Sequence, residues 1–268
     1  MKGGRSVMKV LLVNEENLIT IQQNCEPTVM ALGFFDGVHK GHQKVIFEAK
    51  EKAKRSGLQL AVMSFFPHPK TVFSNEEMDY LMPMEQKAER LKMLGVDVFY
   101  IIDFTKVFAS LSPVTFVQEY LVKLQVKHVV AGYDYTYGHK GAGTIDTIRP
   151  HSDGQIQVDK VEKYALYGEK VSSTAIRSLL KEGKVEAITL LIGKPYDVKY
   201  SVRDALLPYY TLPKAGTYYT TVLVENRAIS QIVTVVNKNE IEFSQRISSD
   251  QCKVIFHERI YQHEQMIG

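Results

Sequence analysis

Between residue 27 and about residue 195, short apolar runs of strand length alternate with segments of helical period, which restricts the chain to a parallel sheet with helical crossovers. Thr28 to Leu32 reads as a buried strand. Val45, Ile46, Ala49 and Ala53 then keep helical spacing until Gly57, a C-terminal stop. Leu60 to Phe65 reads as the next strand, Glu85 to Leu94 as a helix ended by Gly95, and Val96 to Ile102 as a strand. Val114 to Leu124 follows as a helix and His128 to Ala131 as another strand. Ser172 to Leu180 offers hydroxyls for an N-cap, places Ile176, Leu179 and Leu180 on one face and closes at Gly183. A short helix, Val185 to Ile192, ends at Gly193. Past Pro195 the texture changes to β-branched and aromatic runs at Thr217 to Glu225, Ala228 to Val236 and Ile241 to Ser244. Turn-like Asn226 and Asn237 to Asn239 separate them. The expected fold class is an open α/β sheet followed by a small antiparallel β domain.

Composition sets bounds on partners. The 268 residues allow one large domain or two ordinary ones, and 45% hydrophobic with 24% charged residues excludes collagen-like, coiled-coil and disordered chains. Thirty-three basic against thirty acidic residues leave a formal charge of +3, too little to indicate a nucleic-acid partner and enough to tolerate an anionic ligand. Cys25 and Cys252 make no disulfide framework, and no CxxC or Cys/His cluster suggests structural zinc, so a cytoplasmic protein is expected. No apolar run approaches the ~18 residues of a membrane span, so no membrane partner is expected. Met1 to Lys9 carries three basic residues, but Val10 to Val13 is too short for a signal core and Glu15 and Glu16 follow, so a ragged start is expected, with Met8 as a candidate alternative initiator. Oligomeric state is not legible, and there is no internal repeat.

The chemistry concentrates in Gly33-Phe34-Phe35-Asp36-Gly37-Val38-His39-Lys40-Gly41-His42, directly after the first of these strands and directly before a helix. In open α/β sheets ligands bind beyond the carboxyl ends of strands, and a helix N-terminus there presents free N–H groups and positive dipole to phosphate. Gly37 and Gly41 let backbone approach phosphates closely, while His39 and His42, three apart, converge on the same anionic oxygens. No Gly-Lys-Ser/Thr follows, so this is not a Walker loop.

This stretch resembles the signature of the HxGH nucleotidylyltransferases, and its longer form that of the bacterial riboflavin kinase/FMN adenylyltransferase (FAD synthetase) family. Ser64-Phe65-Phe66-Pro67-His68-Pro69 is similar to that family's Thr-Phe-acid-Pro-His-Pro, and Gly132-Tyr133-Asp134-Tyr135-Thr136-Tyr137-Gly138 to its Gly-x-Asp/Asn-Phe-x-Phe-Gly. Val171 to Arg177 resembles Ile-Ser-Ser-Thr-x-Ile-Arg, and Leu191 to Tyr196 resembles Leu-Leu-Gly-Arg-Pro-Tyr. The resemblance implies a Rossmann-like nucleotidylyltransferase domain over residues 1–195, taking FMN and Mg-ATP as small-molecule substrates. His39, His42 and Arg177 would be catalytic, through positive charge at the phosphates. Gly33, Phe34, Asp36, Gly37, Gly41, Ser172 and Thr174 would bind ATP. Phe65, Pro67, His68, Asp134, Tyr135 and Tyr137 would line the flavin site. No metal ligands are assigned; Mg2+ would be carried mainly by the ATP phosphates. Phe66 occupies a position where the family usually has an acid, leaving Asp36 as a nearby carboxylate.

The same resemblance implies a flavokinase-like β-barrel over residues 196–268, here reduced. The family's kinase segment Gly-Phe-Pro-Thr-Ala-Asn is missing; Asp197-Val198-Lys199-Tyr200-Ser201-Val202-Arg203 follows Tyr196 instead. Leu212 to Tyr218 still resembles the barrel strand that begins Pro-x-x-Gly-x-Tyr, and Glu242 is read as an ordinary strand glutamate. Gln262 to Gly268 falls short of the helix that usually packs on such a barrel. Riboflavin kinase activity is expected to be absent; the alternatives are a bifunctional riboflavin kinase/FAD synthetase and a non-catalytic flavin or nucleotide sensor.

Overall fold

The structure is a computed structural model and describes residues 7–74, 78–225 and 227–261. It divides into two compact units, Met1–Met78 with Glu85–Tyr164, and Asp79–Met84 with Ala165–Gly268.

The first unit is built on a six-stranded, all-parallel sheet in the order Lys9–Val13, Val98–Asp103, Gln59–Phe66, Thr28–Leu32, Val126–Gly132, Gln157–Val161. Strands covered on both faces need continuous apolar runs, and Thr28–Leu32 is buried at all five positions. Counted from Thr28–Leu32, the chain first steps outward through Gln59–Phe66 and Val98–Asp103, then returns to the other side of Thr28–Leu32 with Val126–Gly132. The order therefore reverses beside Thr28–Leu32, the topological switch point. Met30, Leu32, Met63, Tyr100 and Ala131 from the strands meet Phe116, Tyr120, Leu121 and Ile148 in the core. Fully burying a side chain of this kind contributes about 1.5–3 kcal/mol.

Two elements of this sheet are absent from the sequence expectation. Lys9–Val13 is an edge strand paired with Val98–Asp103, and Gln157–Val161 is the opposite edge. The helix expected over Val114 to Leu124 instead starts at Pro113, capped by the Ser112 hydroxyl, and after Val117 widens into a π-helical turn, Gln118–Val122.

The second unit holds an antiparallel six-stranded sheet in the order Ala205–Leu206, Tyr196–Ser201, Gln251–Ile260, Gly216–Val224, Arg227–Val235, Ile241–Phe243. Its two edges nearly meet. The Leu206 N–H donates to the Asn239 carbonyl at 3.0 Å, and the Ile241 N–H to the Tyr200 hydroxyl at 3.2 Å, so the sheet is a nearly closed barrel. Tyr218, Val222, Val233, Val254 and Phe256 fill the interior together with Ile176, Leu180, Ile188 and Ile192. The last four come from helices Ser173–Glu182 and Val185–Ile192, so these helices, expected within residues 1–195, share the core of the barrel. The turn expected at Asn226 and the segment Gln262 to Gly268 lie outside the described residues.

Candidate active site

The site begins with register. Leu32 pairs with Met63 on one side and Ala131 on the other, so three adjacent strands end close together and send their loops out at the same edge. Those loops carry Gly33–His39, Pro67–Pro69 and Tyr133–Gly138, three of the motifs singled out in the sequence.

The first loop is strained. Phe35 has φ 53°, Gly37 φ 78° and Val38 φ 40°. Only Gly37 adopts such a backbone freely; a β-branched valine there is an outlier. Both strained side chains are locked, Phe35 at 1% and Val38 at 0% exposure. The Val38 N–H donates to the Phe35 carbonyl at 3.3 Å, and Gln43 Nε2 donates to the Val38 carbonyl at 2.8 Å. The Phe34 carbonyl accepts the Ser64 hydroxyl at 2.7 Å. A side chain on Gly33 would stand 3.0 Å from the Phe35 ring.

His39 closes the loop as the N-cap of helix Lys40–Ser56, whose first turn contains Gly41. Its Nδ1 accepts the His42 N–H at 3.2 Å, which puts any proton of the neutral ring on Nε2. The His39 and His42 rings stack at 3.6 Å and 17°, and Phe35 meets His42 edge-on at 5.2 Å. His42 Nδ1 is buried with no hydrogen-bond partner. Burial first, then the charges of His39 and Lys87, hold the His42 pKa well below the ordinary 6.5. The ring is therefore neutral at pH 7, and His42 offers hydrogen bonding where the sequence suggested charge.

Lys87 was not singled out by the sequence. It lies on helix Met84–Leu94 and is 1% exposed. Its ammonium donates to the Phe34 carbonyl at 2.8 Å and to Ser64 Oγ at 3.2 Å, and stands 4.6 Å from the Phe34 ring centroid. Burial lowers its pKa to about 8 against the opposing pull of Asp36. One signal was available: Lys87 is four residues before the fully buried Leu91 and so shares the inward face of the helix. Asp36, itself 1% exposed, faces this buried cation.

In the second loop, His68 Nδ1 accepts the Lys70 N–H at 3.1 Å, and its ring meets Phe34 edge-on at 4.5 Å. Phe34 thus joins the first loop to the second. Pro67 is half-buried, and Phe65 packs between Phe104 at 6.1 Å and Phe108 at 5.9 Å. In the third loop, Asp134 is exposed, while Tyr135 and Tyr137 stack at 6.2 Å. The Tyr137 hydroxyl is engaged by Thr147 Oγ1 and His151 Nδ1, both at 2.9 Å, and the residue belongs to the core. The Tyr135 hydroxyl is buried without a partner, and burial drives its pKa far upward, so it remains a neutral donor.

Ser172, Thr174 and Arg177 lie in the second unit. Ser172 caps its helix, its Oγ accepting the Ala175 N–H at 3.2 Å, and Gly183 ends the helix in the left-handed conformation. Thr174 is exposed. Arg177 Nε donates to the Asp79 carbonyl at 2.7 Å. Among the described residues no group of three or more His, Cys, Asp or Glu is placed to hold a metal ion, and no helix is long and apolar enough to cross a membrane.

A family model described as FAD synthetase matches residues 21–175. A bifunctional riboflavin kinase/FMN adenylyltransferase from Listeria monocytogenes is 40% identical over 253 residues, covering 88% of this chain and 81% of that protein. A second Listeria monocytogenes protein, an FAD synthetase, is 31% identical over 80% of this chain and 86% of its own length. The bifunctional enzyme of Bacillus subtilis is 46% identical over 67% of this chain, which spans 57% of that protein. A solved structure from Streptococcus pneumoniae, described as a macrolide-efflux protein, superposes with a TM-score of 0.84 at 25% identity over 98% of this chain and 94% of its own.

Proposed function

Because the chain belongs to the FAD synthetase family, we propose that it is an FMN adenylyltransferase, transferring AMP from Mg-ATP to the phosphate of FMN to give FAD and pyrophosphate. The observation that carries this reading is the loop Gly33–His39 at the switch point, with His39 capping helix Lys40–Ser56 and His42 in its first turn.

A phosphate oxygen of FMN attacks the α-phosphorus of ATP. The new P–O bond forms as the bond from that phosphorus to the bridging oxygen breaks, and pyrophosphate leaves with the electron pair. No enzyme nucleophile is needed, so catalysis consists of holding two polyanions in line and matching the charge that develops. The helix N-terminus and the N–H groups of His39 and His42 suit the ATP phosphates, with Gly33, Phe34, Asp36, Gly37 and Gly41 shaping the approach. Phe65, Pro67 and His68 offer an apolar and imidazole wall for the flavin. Asp134 and the unpartnered Tyr135 hydroxyl supply hydrogen bonds, with Tyr137 packed beneath. On the family motif, Ser172 and Thr174 would bind ATP through their hydroxyls and Arg177 would clamp the leaving pyrophosphate bidentately. Mg2+ enters with ATP. Asp36, buried against Lys87, is not offered to it.

In this reading residues 1–195 carry adenylyl transfer, and residues 196–268 form a barrel without riboflavin kinase activity, in a cytoplasmic protein whose two thiols are free. Asp197, in the segment that replaces the kinase motif, is 4% exposed and ion-paired to Lys194 and Lys253. The bifunctional relatives favour a second reading in which both activities persist. Chromatography of FMN, ATP and magnesium incubated with the protein tests the first; riboflavin and ATP test the second. FAD from FMN with no FMN from riboflavin is expected. Failure to form FAD under conditions where an active FAD synthetase succeeds rejects the proposal.

A further inference from the structure

We propose that Lys87 is a positioning residue for adenylyl transfer, its buried ammonium holding the Gly33–His39 turn in the conformation that presents His39, His42 and the helix N-terminus to phosphate. The inference deepens the reading above and rests on it for the reaction, though not for the geometry.

Lysine is almost never fully buried without a specific partner. Here both hydrogen bonds of Nζ go to neutral oxygens, the Phe34 carbonyl and the Ser64 hydroxyl, and the Ser64 hydroxyl itself donates to the same carbonyl. Two donors from separate elements, strand Gln59–Phe66 and helix Met84–Leu94, thus converge on one backbone oxygen. That oxygen belongs to the residue immediately before Phe35, where the left-handed stretch begins. Backbone in such regions persists only where the surroundings over-determine it. Phe35 and Val38 are fixed by burial and Gln43 holds the far end, so the Phe34 carbonyl is the near anchor. His39 follows Val38 directly and caps the helix, and its ring receives the His42 N–H. A turn released at Phe34 therefore displaces both histidines, although Lys87 touches neither.

The effect is a matter of aim rather than affinity, so it should divide kcat from KM. Lys87→Met keeps the chain length and removes the ammonium. Its expected signature is a kcat lowered by about tenfold to 100-fold, since displacements near 1 Å cost rates of that order, with KM for FMN changed less than about twofold. Hydrogen exchange followed by mass spectrometry over residues 33–42 should quicken in the same variant while exchange across the sheet strands stays as in the parent.

Rescue separates position and charge from packing. Lys87→Cys, alkylated in denaturant with 2-bromoethylamine and refolded, rebuilds the ammonium as the thiolate displaces bromide. Parent protein treated identically controls for Cys25 and Cys252. Recovery of kcat and of slow exchange is expected. Parent-like kcat and exchange in Lys87→Met overturn the proposal, as does a loss that the rebuilt ammonium leaves unchanged. If Lys87→Met does not fold, Ser64→Ala decides in its place: faster exchange over residues 33–42 supports the clamp, and parent-like exchange rejects it. Should the parent protein form no FAD, the functional reading fails, while the exchange comparison still judges the role of Lys87.

Discussion

His42 sits under Phe35 and against the His39 ring, and this neighbourhood decides its chemistry more than its identity does. Burial and two adjacent basic groups keep it uncharged, so in the proposed reaction it would offer an N–H to a phosphate oxygen without first losing a proton to solvent. The sign of the pH dependence follows. A depressed folded-state pKa means that the unfolded chain binds the proton first on acidification, so the stability contributed by neutral His42 is complete above pH 6.5 and is lost as pH falls below it. The His42 ring resonances in an NMR titration should stay at their neutral positions down through pH 6.5. Lys87 acts on the alkaline side: the folded protein releases its proton near pH 8 and the unfolded chain near the ordinary 10.5, so its burial penalty fades as pH rises between these values. His42→Ala should lower turnover strongly with little change in the fold, because a contact made to the transition state acts on kcat. Steady-state kinetics beside circular dichroism checks this, and near-parent turnover removes His42 from the site.

At the level of elements, the sequence was most readable where one residue type performs one local task. Ser172 and Gly183 mark the two ends of helix Ser173–Glu182, as their cap chemistry requires. Ser172→Ala should cost about 1 kcal/mol in a denaturant melt, and Ser172→Asp should restore most of it. If Ser172→Asp restores stability while activity stays low, the hydroxyl does more than cap. The loop Gly33–His42 was legible for a similar reason, as glycine and histidine spacing between a strand and a helix. Its strain was not. Phe35 and Val38 are residue types that avoid positive φ, and only their burial within the fold holds them there. Lys9–Val13 is less legible as a strand because its apolar run, Val10 to Val13, is only four residues long, and as an edge strand it leaves Lys9, Val10 and Leu12 exposed. Gln251–Ile260, the central barrel strand, was hidden by Lys253, Glu258 and Arg259, although Cys252, Val254 and Phe256 alternate inward beneath them. Lys87 was missed because it belongs to no motif, and its importance comes from a carbonyl 53 residues earlier in the chain.

For the whole molecule, a pattern of alternating periods was enough to foresee a parallel α/β unit and an antiparallel β unit. The placing of helices Ser173–Glu182 and Val185–Ile192 on the barrel core was not foreseeable, since an apolar helix face does not name the sheet that it covers. In the proposed reading, the absence of a Gly-Phe-Pro-Thr-Ala-Asn segment leads to the expectation that riboflavin and ATP give no FMN; product detected by chromatography restores the bifunctional reading. The barrel also has a bearing on how the protein behaves when concentrated. Its terminal strands, Ala205–Leu206 and Ile241–Phe243, are two and three residues long, and Leu206 already spends its N–H on Asn239 across the seam. Too little ladder is left exposed there to template a strand from another chain. Strand addition at this seam therefore has to wait for it to open, which ties that route to local unfolding.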